Sequence, residues 1–165
     1  MKQYVLLSIF IVTALFSQAQ QFDDTPPYKK NSSLPEFKIL QADSTWFTDL
    51  LIPEHRPVII MYFSPECGHC QVEAENLAQN RDKLDSAFML FVSYHSPEEV
   101  GAFVKKYKLD KFRYTAAGRD TEYNLPSFFR VQQTPFIAVY SKYHQLVKVF
   151  EAGANAEELS KLLQE

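Results

Sequence analysis

The apolar run Val58-Ile59-Ile60-Met61-Tyr62-Phe63 leads, after one short turn, into Cys67-Gly68-His69-Cys70, which holds the only two cysteines of the chain. β-Branched and aromatic residues in an unbroken run of this length mark a buried core strand. Behind the cysteines, Gln71 to Leu84 (QVEAENLAQNRDKL) places Val72, Ala74, Leu77, Ala78 and Leu84 at the apolar positions of an amphipathic helix. Both thiols are therefore expected on a strand-to-helix turn. The free backbone N–H groups and the positive end of the helix dipole there favour a thiolate at Cys67, the species that attacks disulfides. Cys70, three positions on, shares the helix face and is placed to resolve a mixed disulfide.

Three chemistries use this spacing. A redox pair needs only the two thiols, whereas a closed zinc site needs four ligands and an inert disulfide needs none of the helix-end electrostatics. The chain has no second CxxC, His69 lies between the thiols, and His55, His95 and His144 are scattered without ligand spacing. A redox pair fits these residues best, and no metal site is expected.

With 165 residues and 46% hydrophobic content, the chain has the size of one domain with a sizeable core. A net charge of −3 without a basic cluster gives nucleic-acid binding no electrostatic support. Met1-Lys2-Gln3, the apolar run Tyr4 to Phe16 and the small residues of Ser17-Gln18-Ala19 read as a signal peptide over 1–19, with cleavage expected after Ala19. The run is short for a membrane span, so no stable membrane insertion is expected once it is removed. Residues 20–33 (QQFDDTPPYKKNSS) are polar and aperiodic and read as a linker, leaving 34–165 as the domain.

Within that domain, strands are expected over Phe37–Gln41 and Phe88–Ser93 besides the core strand, and a short helix over Ser44–Leu51 with Asp43 or Ser44 as N-cap. Ser96-Pro97-Glu98-Glu99 opens a helix with a capping box and proline at the first helical position, running to about Tyr107. Strand and helix in alternation form a βαβ unit with parallel strands. Phe112–Thr115 reads as a short strand, and Thr121–Arg130 is ambiguous around Pro126. A hairpin is expected from Phe136–Ser141 and Gln145–Glu151, then a closing helix over Ala156–Leu163.

From Leu34 to Glu165 the arrangement resembles the thioredoxin fold, an α/β architecture with a central mixed β-sheet flanked by helices on both faces. The carrying residues are Phe63-Ser64-Pro65-Glu66-Cys67-Gly68-His69-Cys70 and, far downstream, Gln133-Thr134-Pro135-Phe136. The resemblance implies a cis peptide before Pro135 and a substrate groove lined by Thr134 and Pro135. The interval between Cys70 and Pro135 exceeds that of a minimal thioredoxin by about a helix and a strand, which is similar to the exported TlpA and ResA-like reductases. That group carries a glutamate close to the active site, where Glu73 stands here. Met61 occupies the position at which thioredoxin has a buried aspartate, so Glu73 or water would have to move the proton of Cys70. Gly68-His69 is the dipeptide of protein disulfide isomerase; a charged His69 near Cys67 would stabilise its thiolate and make the disulfide more oxidising, with Glu66 opposing.

The expected function is thus an exported thiol:disulfide oxidoreductase, with Cys67, Cys70, His69 and Glu73 as catalytic residues and Thr134 and Pro135 as substrate contacts. It needs no cofactor, works as a monomer in the periplasm of a Gram-negative bacterium, and exchanges electrons with protein thiols or disulfides and with a redox partner that the sequence does not identify. The rival is a metal (copper) or haem-maturation chaperone of the same fold that holds its cargo through the same two thiols, which are soft ligands.

Overall fold

The computed structural model describes residues 23–164. The expected signal peptide, 1–19, and the first residues of the expected linker lie outside them. Within that linker stretch, Pro27–Lys30 form a helical turn (α1), and Ser33 bridges Gln145. No helix among the described residues is long and apolar enough to cross a membrane.

The run expected as a core strand forms β3, Val58–Tyr62, with every residue buried. Alternate side chains enter two different cores. Val58, Ile60 and Tyr62 pack on one face of the sheet with Phe37, Ile39, Leu90, Val92, Leu125 and Phe129. Ile59 and Met61 pack on the other with Cys70, Leu77, Met89, Phe91, Val100, Phe103 and Leu159. A strand with apolar partners on both faces has no solvent side to mark with polar residues, which is why the sequence shows no alternation.

After β3 the chain forms α2 (Gly68–Gln79) and the single turn α3 (Arg81–Leu84), then β4 (Phe88–Ser93), α4 (Pro97–Lys106), β5 (Thr115–Asp120), α5 (Asn124–Phe129), β6 (Phe136–Tyr140), β7 (Leu146–Phe150) and α6 (Ala156–Leu162). Ahead of β3 lie β1 (Lys38–Leu40) and β2 (Trp46–Thr48). The strands form one mixed sheet in the order β2-β1-β5-β4-β3-β6-β7, with β3, β4 and β5 mutually parallel and the other pairings antiparallel. Helices α2, α4 and α6 cover one face, and α5 with the turn α1 covers the other. The capping box at Ser96 and Glu99 forms as expected, with Pro97 at the start of α4.

Three expectations change. Ser44–Leu51 is not a helix: Asp43 Oδ1 accepts from the backbone N–H and the hydroxyl of Thr45, Ser44 takes a left-handed φ of 67°, and the chain turns into β2 followed by one 3-10 turn, Asp49–Leu51. Asp43 therefore closes a tight turn instead of capping a helix. The strand expected at Phe112–Thr115 begins only at Thr115, because TAAGRD forms β5 without any large β-former. The ambiguous stretch becomes α5, whose first turn is held by Asp120: its buried carboxylate accepts from Glu122 N (3.3 Å), Asn124 N (3.2 Å) and Leu125 N (2.9 Å). Pro126 sits in that first turn, where a missing N–H costs little.

Small residues in β5 have a steric reason. A Cβ on Gly118 would lie 2.6 Å from the backbone oxygen of Leu40, so β1 can pair with β5 only if position 118 has no side chain. Gly118→Ala is expected to push β1 and β2 off the sheet edge and to cost about 1–3 kcal/mol of stability, as overpacking does. Urea denaturation with an unchanged midpoint would show that β1 yields freely.

Candidate active site

Cys67 is the N-cap residue of α2, with extended backbone (φ −74°, ψ 116°). The turn from β3 is tied at three points: Cys67 N–H donates to Ser64 O at 3.1 Å, Gln71 N–H to Cys67 O at 3.1 Å, and the Gln71 side-chain amide to Pro65 O at 3.0 Å. These bonds fix the Cys67 side chain over the open end of the helix. Its sulfur accepts from Cys70 N–H at 3.3 Å, an N-terminal N–H with no partner inside the helix. Both cysteines are free thiols, Cys67 partly exposed and Cys70 fully buried.

Their environments drive the two thiols apart. Burial pushes Cys67 upward, but hydrogen bonds from the Cys70 thiol and backbone N–H, from the Thr134 side chain and from the His69 backbone N–H outweigh it and leave the group below an ordinary thiol. Cys70 is pushed up to about 12, first by burial and then by donating its proton to Cys67. Among the groups that act on Cys67, His69 contributes its main chain; its imidazole is exposed.

Opposite Cys67, the Thr134-Pro135 peptide is cis, and the Cys67 thiol donates to Thr134 O at 3.4 Å. The structure thus brings Cys67, Cys70, Thr134 and Pro135 to one place. A cavity of about 300 Å³ opens beside Thr134, walled by Tyr62, Tyr94, Tyr123 and Pro126 among others. Phe63 and Phe136 are core residues.

Glu73, one helical turn beyond Cys70, is 8% exposed. Its Oε2 accepts from Ala154 N–H at 3.3 Å while Asn76, on the same helix, donates to Ala154 O at 3.1 Å, so α2 grips both backbone groups of the residue that follows Gly153. Gly153 has φ +93°, and a Cβ there would meet Glu73 Oε2 at 2.6 Å and Pro135 Cγ at 3.6 Å. Glycine is required on both counts. The second carboxylate oxygen, Oε1, is buried without a protein partner. Burial raises the Glu73 pKa, and the bonds to Ala154 and Asn76 oppose it.

Sequence reasoning missed one cluster. Ser64 Oγ lies 3.1 Å from His95 Nε2, and His95 Nδ1 lies 3.6 Å from Glu99 Oε1. Only the turn after β3 and the start of α4 meeting at the ends of two adjacent strands reveals it; His95 and Ser64 share no spacing.

Because the folded Glu73 binds its proton more tightly than the unfolded side chain with its ordinary value of 4.5, stability from this group is present below that value and is lost as pH rises through the raised folded pKa. Glu73→Gln should lack that loss, so the variant gains on the wild type in denaturation midpoints as pH rises above the ordinary carboxyl value of 4.5. Parallel pH profiles for the two proteins would show that burial does not govern this carboxyl.

No family model and no curated protein matches the sequence. Solved structures do match. A secreted Mycobacterium tuberculosis disulfide oxidoreductase, homologous to E. coli DsbE, superposes with a TM-score of 0.64 at 17% identity over 78% of this chain and 94% of its own. DsbF of the same organism gives 0.64 at 22% identity over 78% and 92%. A thiol:disulfide interchange protein of the thioredoxin family from Chlorobium tepidum gives 0.63 at 14% identity over 86% and 97%. At these identities the likeness is one of architecture: the mixed seven-stranded sheet between two helical layers, with a cysteine pair at the start of α2 and a cis-proline before β6, is the thioredoxin-like fold.

Proposed function

We propose that the protein is an exported thiol:disulfide oxidoreductase that exchanges disulfides with protein substrates through Cys67 and Cys70. The observation that carries this reading is the opposed character of two thiols at one helix end: the accessible one is lowered, and the buried one is pushed up to about 12. In the reducing direction the Cys67 thiolate attacks a substrate disulfide, the substrate S–S bond breaks, and the departing thiolate takes up a proton. Cys70 then gives up its proton and attacks Cys67, the mixed disulfide breaks, and the second substrate thiolate leaves. The substrate has gained two electrons and the protein holds a Cys67–Cys70 disulfide. The reverse sequence oxidises a dithiol. A redox partner resets the pair.

Thr134, held in place by the cis bond to Pro135, supplies main-chain groups for an extended substrate segment in the manner of an added strand. Glu73, buried one turn from Cys70 with an unpartnered oxygen, is the group suited to take the Cys70 proton, since Met61 fills the strand position that faces the same core. That role, together with the long interval before Pro135, supports a TlpA or ResA-like subtype. The Gly68-His69 dipeptide supports a potential above that of thioredoxin. Export to the periplasm rests on the signal-like residues 1–19, and it accords with the secreted mycobacterial structure and with a pneumococcal exposed lipoprotein thioredoxin of the same fold (TM-score 0.60, 15% identity).

A metal chaperone would use the two thiols as near-equivalent ligands, and cysteine variants separate the readings. Cys70→Ser is expected to accumulate covalent mixed disulfides with oxidised exported proteins, and Cys67→Ser almost none. Equal loss of Cu(I) binding in both variants, with no trapped protein, would overturn the oxidoreductase reading. The dithiol couple should lie at roughly −150 to −230 mV against glutathione, and His69→Pro should lower it by roughly 20–60 mV. An unchanged or raised potential in that variant would remove His69 from the tuning of the couple.

A further inference from the structure

In an open α/β sheet a crevice forms at the carboxyl ends of the strands, where neighbouring strands send their helices to opposite faces. Here β4 leads into α4, which lies on one face with α2, and β5 leads into α5 on the other. The cavity of about 300 Å³ opens at that point. Tyr94 stands just beyond the end of β4, Tyr123 between β5 and α5, Tyr62 at the end of β3, and Pro126 in the first turn of α5. Tyr62 is buried, but Tyr94 is 43% exposed and Tyr123 50%, so two rings at the mouth keep apolar surface that no other part of the described chain covers.

Both exposed rings are held from behind. The His95 ring lies against Tyr94 with centroids 4.4 Å apart, and His95 is itself fixed by its backbone N–H on Ser93 Oγ (3.3 Å) and by Nε2, 3.1 Å from Ser64 Oγ. Tyr123 has φ 55° and ψ 34°, a left-handed backbone that bulky residues rarely adopt. Asp120 imposes it, taking the N–H of Glu122 on one side of Tyr123 and those of Asn124 and Leu125 on the other. Glycine would meet that backbone with less strain, so a tyrosine ring stands at 123 against a local cost. Among the described residues no charged side chain forms part of the wall; glutamine amides and tyrosine hydroxyls are its polar side-chain groups besides Thr134. An ionised side chain entering would shed water and gain no counter-charge.

Thr134 joins this cavity to the chemistry. It forms part of the wall, and its carbonyl accepts from the Cys67 thiol at 3.4 Å. An extended segment whose cysteine meets Cys67 therefore passes the mouth within one or two residues, at about 3.3 Å per residue. We propose that the cavity is a specificity pocket for an aromatic side chain one or two positions from the substrate cysteine, with Tyr94 and Tyr123 as the residues that select it. The inference rests on the oxidoreductase reading and gives its substrate class: protein disulfides flanked by Phe, Tyr or Trp. The volume, at the foot of the range for small-molecule sites, suits one ring. Ring-on-ring contact supplies the preference, because aromatic pairs gain from edge and offset geometry beyond the area they bury.

Peptides of one sequence, each with a single cysteine in a mixed disulfide with thionitrobenzoate, test this with Phe, Leu or Ala at the two positions on either side of the cysteine. When the Cys67 thiolate attacks the peptide sulfur, the peptide–thionitrobenzoate S–S bond breaks, the coloured thiolate leaves with the electron pair, and the peptide is joined to Cys67. The second-order rate constant for the Phe peptide is expected to exceed that for Ala about tenfold and that for Leu about threefold. Tyr94→Ala and Tyr123→Gly should each bring the Phe-to-Ala ratio to within about twofold of one, and Tyr123→Phe, which keeps the ring, should retain it. Because the ratio is read within each protein, a change in thiol reactivity common to all peptides cancels. Glycine accepts the left-handed backbone at 123, so that variant deletes the ring without breaking the turn. Equal rate constants for the Phe peptide and either other peptide in the wild type, or an unchanged ratio in both ring-deleted variants, overturns the proposal and leaves the oxidoreductase reading standing. Absence of release from every peptide overturns both.

Discussion

Burial of β3 on both faces is the constraint from which the other features follow. A five-residue strand with no exposed side chain must be flanked by paired strands and covered by two layers, and its residues divide between two cores. The chain can then emerge only at the strand's end. There it turns into α2, whose inner face is claimed by Cys70, Ala74 and Leu77. The buried sulfur is consequently a packing residue of the same core as Met61 and Phe91, and its neighbour three positions earlier is left at the rim. The difference between the two thiols is a result of where a helix enters a layered fold.

The site is also compact in its use of the main chain. Cys70 N–H donates to the Cys67 sulfur, that thiol donates to Thr134 O, and Ser64 O holds Cys67 N–H; these main-chain groups do not depend on side-chain rotamers of their own. Side chains enter one step back, with Gln71 tying Pro65, Glu73 and Asn76 holding Ala154, and His95 on Ser64. Dipoles already oriented by helix and turn need no rearrangement when charge moves from one sulfur to the other.

Sequence alone carried the parts of this structure that depend on neighbours in the chain. The limits of β4, the capping box at Ser96 and the hairpin after Pro135 all follow from local composition and turn chemistry. The helix expected over Ser44–Leu51 failed because Asp43 has two local uses, a cap or a tight turn, and pairing with β1 decides between them. Strand β5 was hidden because its small residues answer to the close approach of Leu40, a contact distant in sequence. The cysteines and Thr134-Pro135 were legible because their spacing and type resemble a known arrangement. Ser64, His95 and Glu99 were not, since only adjacent strand ends bring them together.

On the proposed function, the two edges of the sheet bear on a hazard of meeting extended protein substrates. A protein whose partners arrive as extended chains is at risk of binding them anywhere a strand lies open. Here one edge is β2, three residues long, with Lys38 of β1 seated over the Trp46 ring at 4.9 Å. The other is β7, which carries the exposed Lys148 at its centre, shifts register against β6 at Val139/Tyr140, and is approached at its start by Ser32 and Ser33. Short length, a central charge and an irregular register make both margins poor templates for an added strand, which on the proposed function leaves Thr134, beside the sulfur, as the place for an extended segment.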